Sequence, residues 1–309
     1  MLRTDHHSGP RKLRALLNHE PVVRCLGAHD VLTAKLIEQA GLESIFVGGF
    51  GVSASVLGLP DMNFVHLPTM NDAARRTIQA VDIPVIVDGD TGHGDLHNVQ
   101  QTVELFEQIG AAGILLEDQA FPKRCGHFAG KQVIPAVEMV LKIHAALDVR
   151  RNPDVVLIAR TDALAVQGVD EAVRRARLYA QAGADLVYVE APHTEEILAR
   201  LPEMVEHPLV INMLTGGRTP VRHVDELRDY GYKLVIWPIE TLLVSAYVVR
   251  KLVRTLINEG RADGHADDML SFTEIQDILG LPAIMGLRGR MQHRALSATH
   301  AEKARRATP

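Results

Sequence analysis

Eight short apolar runs recur along this chain of 309 residues, each followed by a stretch in which apolar residues return every three or four positions. The runs cover 22–28, 44–49, 84–90, 113–118, 155–161, 186–191, 209–214 and 234–238. Runs of this length between helical patterns read as parallel strands covered on both faces. The intervening periodicity is helical, as in Val173, Ala176, Leu178, Ala180 and Ala182 before Gly183. Glycines at 41, 110 and 183 stand where helices would hand over to the next strand, in a left-handed turn that glycine adopts without strain. Eight βα units in series predict a TIM-type (β/α)8 barrel of the α/β class. An open doubly wound sheet would carry a glycine-rich phosphate loop after its first strand, where this chain has Ala28, His29 and Asp30. No Pro/Gly/Ser-rich linker divides the chain, so a single barrel domain over 1–309 is expected, with 260–309 as a helical tail. A hydrophobic share of 47% with only 4% aromatic residues suits aliphatic barrel layers.

Composition excludes several function classes. A net charge of −5 gives no electrostatic footprint for nucleic acid. No apolar stretch approaches the ~20 residues that span a bilayer, so no membrane partner is expected. The polar first ten residues lack the basic start and apolar core of a secretory signal. Two cysteines, Cys25 and Cys125, are too few for a disulfide framework, and a reduced, cytoplasmic protein is expected.

The chemistry-bearing residues gather where strands end. Asp88 and Asp90 close the third run, and Glu117 and Asp118 close the fourth. In a barrel, catalytic groups lie just past the C-terminal ends of strands. Carboxylates converging there raise one another's pKa unless a cation compensates, and Mg2+ is the natural candidate because it takes hard oxygen ligands and keeps some waters. Alternate residues Asp88 and Asp90 would point the same way, with Gly89 keeping the space between them clear. Cys125 lies among Lys123, Arg124, Gly126 and His127, where cations favour the thiolate, whereas Cys25 sits in an apolar strand and reads as core. Arg160 ends the fifth strand as a carboxylate clamp, Glu190 ends the sixth and Asn212 lies in the seventh. Two segments exceed a minimal barrel. One is the long connection 51–68. The other is a tail of helical pattern at 241–259 and 271–280, equally compatible with packing on its own barrel and with exchange between subunits.

In that order the motifs Gly48-Gly49-Phe50-Gly51, Leu57-Gly58-Leu59-Pro60-Asp61, Asp88-Gly89-Asp90-Thr91-Gly92, Glu117-Asp118-Gln119, Pro122-Lys123-Arg124-Cys125-Gly126-His127, Ala159-Arg160-Thr161-Asp162, Glu190-Ala191 and Asn212-Met213-Leu214 carry a resemblance. The chain resembles the isocitrate lyase/phosphoenolpyruvate mutase superfamily over 14–277, near its methylisocitrate lyase, 2,3-dimethylmalate lyase and carboxyphosphonoenolpyruvate mutase branches. The resemblance implies an Mg2+-dependent barrel enzyme, with Mn2+ as a substitute ion, acting on a small dicarboxylate or α-oxo acid. It also implies a homotetramer with a swapped C-terminal helix. Carried over residue by residue, Asp88 and Asp90 are the metal pair, and Asp61 and Glu117 reach the ion directly or through water. Cys125 is a general acid/base on a closing loop, and Arg160 and Glu190 complete the catalytic set. Gly48, Gly49, Phe50, Gly126, His127, Asn212 and Leu214 contact substrate.

The chain also departs from the methylisocitrate lyase pattern, which has Ser at Gly48, Thr at Leu214 and Arg at Leu243. Losing those groups removes the means to hold a third carboxylate, and an unpaired buried charge costs several kcal/mol. Phe50 and Leu243 are expected to line apolar room, and Glu240 to repel an acidic group or orient Arg160. A carbon–carbon lyase acting on a 2-alkylmalate or methylisocitrate-like 2-hydroxy dicarboxylate is therefore expected. Its rivals are an oxaloacetate hydrolase or decarboxylase and a carboxyphosphonoenolpyruvate-type phosphonomutase, which shares the cysteine loop. A catalytically silent scaffold has no need of so many costly carboxylates in one mouth.

Overall fold

The computed structural model describes residues 8–126, 128, 130–292 and 294. The chain forms two compact units, one up to Ala246 and one from Tyr247 onward.

The first unit is a closed barrel of eight strands: β1 (Val23–Gly27), β2 (Ser44–Val47), β3 (Val85–Asp88), β4 (Gly113–Glu117), β5 (Val156–Thr161), β6 (Leu186–Val189), β7 (Leu209–Asn212) and β8 (Tyr232–Trp237). Every neighbour is parallel and in chain order, and β8 closes on β1 through the pairing of Val23 with Leu234. The expected TIM-type architecture is thus present. Two predicted strands end early for a backbone reason: Asp90 and Ala191 have φ of 48° and 54°, left-handed values that no sheet accepts.

Strand side chains alternate, so each strand feeds two cores. Cys25, Phe46, Ile86, Leu115, Ile158, Tyr188, Val210 and Ile236 fill the barrel interior. Their neighbours Ile45, Val47, Val85, Val87, Ile114, Leu116, Leu157 and Ala159 pack outward beneath the helices. The helix Gly9–His19 contributes Leu13 to the interior cluster beside residues near the starts of the strands, Val23, Val156 and Leu234. That end is sealed, which leaves the C-terminal ends of the strands as the open mouth.

The second unit is helical. The helix Glu240–Glu259 runs into it, followed by a 3-10 turn at Asp263–Asp268 and helices Phe272–Ile278 and Leu281–Met285. His265 is buried there between Thr255 Oγ1 (2.7 Å) and Asp268 Oδ2 (3.1 Å), and Lys251 adds an ion pair to Asp268 (2.8 Å). The expected helical extension is present.

Candidate active site

The two-residue period that fills the barrel also builds its mouth. Inward positions run Ile86, Asp88 on β3; Leu115, Glu117 on β4; Ile158, Arg160 on β5; Tyr188, Glu190 on and just past β6; and Val210, Asn212 on β7. The side chains one step beyond the buried layer therefore share one cavity of about 60 Å3. Its walls include Gly48, Gly49, Phe50, Asp61, Asp88, Glu117, Cys125, Gly126, Arg160, Glu190, Asn212 and Leu214. These predicted site residues line one cavity, and His127 lies outside the described residues.

Asp90 approaches the same place by a different route from the one expected. It does not continue the strand; its left-handed turn brings its carboxylate back beside Asp88, whose Oδ1 accepts from the Asp90 amide (3.0 Å) and Oδ2 from the Gly49 amide (3.0 Å). A Cβ on Gly49 would lie 3.1 Å from Lys123 Nζ, 3.2 Å from Asp90 Oδ1 and 3.4 Å from Asp88 Oδ2, so three charges meet over a bare backbone. Gly89 is needed for close approach as well: a Cβ there would stand 2.8 Å from the Leu115 carbonyl. Asp118 has a separate destination. As the neighbour of inward Glu117 it turns away, fully buried, and accepts from Thr161 Oγ1 (2.7 Å), Tyr179 (2.7 Å), Arg175 (3.0 Å) and the Asp162 amide (2.9 Å).

Lys123 supplies the counter-charge. Its ammonium is 2.7 Å from Asp61 Oδ1 and 2.6 Å from Asp90 Oδ1. Burial alone would push the ammonium's pKa down, but Asp90, Asp61 and Asp88 together hold it well above the ordinary lysine value. For Asp90 burial dominates and pushes the carboxyl up to about 7, against the pull of Lys123 and with the help of Asp88 and Asp61. Burial likewise raises Glu117 well above the usual carboxylate range, opposed by Arg160.

The acidic wall fits a divalent cation. Asp90 Oδ2 and Glu117 Oε1 are buried with no hydrogen-bond partner among the described residues, and Gly49 leaves open the space that a side chain would fill. Among the described residues no three His, Cys, Asp or Glu side chains form a ready-made shell. That agrees with Mg2+, which is commonly held by one or two carboxylates and completed by water and substrate oxygens.

Beside this wall, on the neighbouring strand and in register with Glu117, stands Arg160. Asp162 grips it through Nε (2.8 Å) and Nη2 (3.0 Å), Glu117 lies 3.3 Å from Nε, and Glu190 lies 3.7 Å from Nη1. The Tyr188 ring centroid is 5.4 Å from the guanidinium carbon, and the Tyr188 hydroxyl donates to Glu190 Oε2. Although burial pushes Asp162 up, Arg160 and Lys131 bring it down to about 2, so it stays a carboxylate. The cysteine loop closes the cavity. The Cys125 amide donates to the Asp61 carbonyl (3.3 Å), and the Gln119 side chain bonds the Arg124 backbone at both N (3.0 Å) and O (2.8 Å). Gly126 packs so closely that a Cβ would collide with Arg160 and Glu190.

Two expectations are corrected. Leu243 does not line the cavity; it is 43% exposed on the helix that starts at Glu240, and Ile239 and Pro238, in the turn before that helix, line the wall instead. Glu240 braces the backbone, accepting from the amides of Thr215 (2.9 Å) and Ile239 (3.2 Å). Sequence reasoning missed Asp162, Lys131 and Tyr188 as site-building residues. Asp162 stood in plain view in the Ala-Arg-Thr-Asp motif, two residues beyond Arg160; Lys131 carried no signal.

A closed β/α barrel whose mouth sets an acidic wall against a buried arginine and a loop thiol defines an enzyme for small anionic substrates. The family model for phosphoenolpyruvate phosphomutase matches residues 13–257. A 2,3-dimethylmalate lyase from Eubacterium barkeri is 41% identical over 273 residues, covering 88% of this chain and 94% of the relative. Among solved structures, oxaloacetate acetylhydrolase in complex with 3,3-difluorooxalacetate superposes with a TM-score of 0.86 at 33% identity, covering 93% of this chain and 98% of that one. Phosphonopyruvate hydrolase in complex with oxalate and Mg2+ superposes with a TM-score of 0.83 at 30% identity, covering 91% and 98%. The chain belongs to the phosphoenolpyruvate mutase/isocitrate lyase superfamily of enzymes.

Proposed function

We propose that this enzyme is an Mg2+-dependent lyase that cleaves the C2–C3 bond of a 2-alkylmalate-type 2-hydroxy dicarboxylate, giving an α-oxo acid and a second carboxylic acid. The observation that carries this reading is one small cavity lined by carboxylates (Asp61, Asp88, Glu117, with Asp90 paired to the lining Lys123), a cationic clamp (Arg160) and apolar side chains (Phe46, Phe50, Leu115, Leu214, Ile239). Among the described residues, only Arg160, Lys123 and the exposed Arg124 bring positive charge to the lining, and Lys123 is already paired with Asp61 and Asp90. A third substrate carboxylate would find no cation of its own, whereas alkyl groups find apolar walls.

Asp88 and Asp90 would hold Mg2+, with Asp61 and Glu117 behind them. Bound there, the ion supplies electrophilic stabilisation for negative charge on the oxo-acid oxygens. Arg160, fixed by Asp162, orients a substrate carboxylate. Glu190 or Glu117 takes the 2-hydroxyl proton as the C2 carbonyl forms, and the C2–C3 electron pair passes to C3 as a carbanion. Cys125 delivers a proton to that carbon, and Asn212, whose Oδ1 is buried with no hydrogen-bond partner among the described residues, offers its amide to the substrate. The closed loop excludes water that would otherwise compete for the carbanion. A mechanism that uses a reduced thiol suits the cytoplasm. The assembly is proposed to be a homotetramer.

Hydrolysis of oxaloacetate is the second reading, favoured by the match to oxaloacetate acetylhydrolase. The two separate when the purified enzyme with Mg2+ is given 2,3-dimethylmalate, other 2-alkylmalates, methylisocitrate and oxaloacetate, and the products are followed by chromatography. Oxo-acid release from an alkylmalate is expected. Methylisocitrate as the best substrate would overturn the pocket argument, and oxalate plus acetate from oxaloacetate alone would replace the lyase reading.

A further inference from the structure

The cysteine loop has a fixed stem and a seated tip. Its stem is tied by a bridge between Gln119 and Val133 and by the Ala120 amide donating to the Gln132 carbonyl. Lys131 stands on that stem with its side chain only 1% exposed, and among the described residues its ammonium has two partners: Asp162 Oδ1 at 2.6 Å and the carbonyl of Gly126 in the loop. Asp162 is the same carboxylate that holds Arg160 through two hydrogen bonds. Gly126 in turn lies directly against Arg160 and Glu190.

We propose that Lys131 is a positioning residue that latches the Cys125 loop in its closed state and ties that closure to the orientation of Arg160. A buried ammonium left short of acceptors is costly. When the loop is seated, the Gly126 carbonyl fills one of those places. When the loop lifts, Lys131 retains Asp162 alone and becomes open to water. Loop closure and a correctly held Arg160 therefore favour each other, because each completes the partner set of the same Lys131–Asp162 pair. Lys131 touches no reacting atom in this scheme; it acts through Gly126 and Asp162. The inference deepens the proposed lyase reading, which assigns Cys125 and Arg160 their roles, but the latch itself is testable without any substrate.

The probe is the rate at which iodoacetamide alkylates Cys125 in the full chain, read by mass spectrometry. Cys25, fully buried in β1, serves as a silent internal control. Lys131→Met is expected to raise the Cys125 rate at least tenfold while the circular-dichroism spectrum is retained, and Lys131→Arg to return it to within about threefold of the wild type. Gly126→Ala, which cannot seat against Arg160, is expected to raise the rate by a similar factor, and the double variant to add nothing further. A folded Lys131→Met chain alkylated at the wild-type rate would overturn the latch. If Lys131→Met does not fold, Lys131→Gln in combination with Gly126→Ala reads the same coupling, and independent, multiplying effects of the two would likewise overturn it. Failure of the lyase assignment shows instead as absent turnover in a wild type whose loop still protects Cys125.

Discussion

Lys123 reaches from the cysteine loop to within 2.6 Å of Asp90 Oδ1, and the two side chains are only 4% and 3% exposed. The loop that closes the mouth thus carries the cation that neutralises its acidic wall. Removing one member of a buried pair typically costs about 3–5 kcal/mol, because the other charge is left without a partner. Asp90 has a way out, since burial already pushes its carboxyl up to about 7.

Lys123→Met is therefore expected to make stability steeply dependent on pH. A carboxyl whose folded pKa is raised gives its full contribution where both states are protonated, below about pH 4, and that contribution is lost as the pH climbs to the folded value near 7. Metal-free wild type should lose some stability across this window, and the variant more, because Lys123 no longer opposes the burial effect. Thermal melts at about pH 5 and about pH 8 measure it. A variant that melts at the same temperature at both would remove Asp90 as the responsive group.

Asp88→Asn tests the metal wall with little disturbance of the backbone. The amide keeps one acceptor oxygen for the Gly49 or Asp90 N–H groups and deletes the charge. On the proposed metal reading, Mg2+ binds only the folded state, so the wild-type melting temperature should rise with added Mg2+ and turnover should stop in chelator. The variant is expected to lose both the thermal response and at least about a hundredfold in turnover. Undiminished activity of the variant in chelator would discard the metal site.

Cys125→Ser separates chemistry from packing. The thiol is half-buried in a loop, so the melting temperature should move little. A hydroxyl is a far poorer acid towards a carbanion, and loss of a positioned proton donor typically costs about 10^2–10^4 in rate. Lyase turnover should fall by that much, and oxaloacetate decarboxylation by much less. Equal losses in both reactions would take the proton-donor role away from Cys125.

Most of the mouth was legible in the sequence because a strand writes its geometry as a period of two. Once Ile86, Leu115, Ile158 and Tyr188 are interior, Asp88, Glu117, Arg160 and Glu190 follow two steps later; Asp118, expected among the converging carboxylates, falls one step off that period and turns away instead. What the period does not reach is the backbone beyond the strand. The left-handed turn at Asp90 and the 62-residue separation between Lys123 and Asp61 depend on tertiary closure. Leu243 was misplaced for a related reason. Counting from Pro238 does not reveal where the following helix starts, and with its first residue at Glu240 the cavity-facing position falls at Ile239.

The C-terminal unit leads to a prediction about assembly. None of the 20 residues of the helix Glu240–Glu259 is buried, and the helices Phe272–Ile278 and Leu281–Met285 bury none either. Yet this segment presents Ile257 at 76%, Phe272 at 80% and Met285 at 74% exposure, alongside Tyr247, Val249 and Val253. A large apolar side chain left in water forgoes up to roughly 1.5–3 kcal/mol of burial, and an accumulation of such side chains on one segment points to a protein–protein contact. A second copy of the chain is the partner that the superfamily resemblance supplies, through exchange of this helical segment. Light scattering on the purified wild type should therefore give a tetramer. Ile257→Asp combined with Phe272→Asp should give a smaller species, because each carboxylate would have to be buried without a counter-charge. A wild type that elutes as a monomer at micromolar concentration would leave these side chains in water and defeat the proposal.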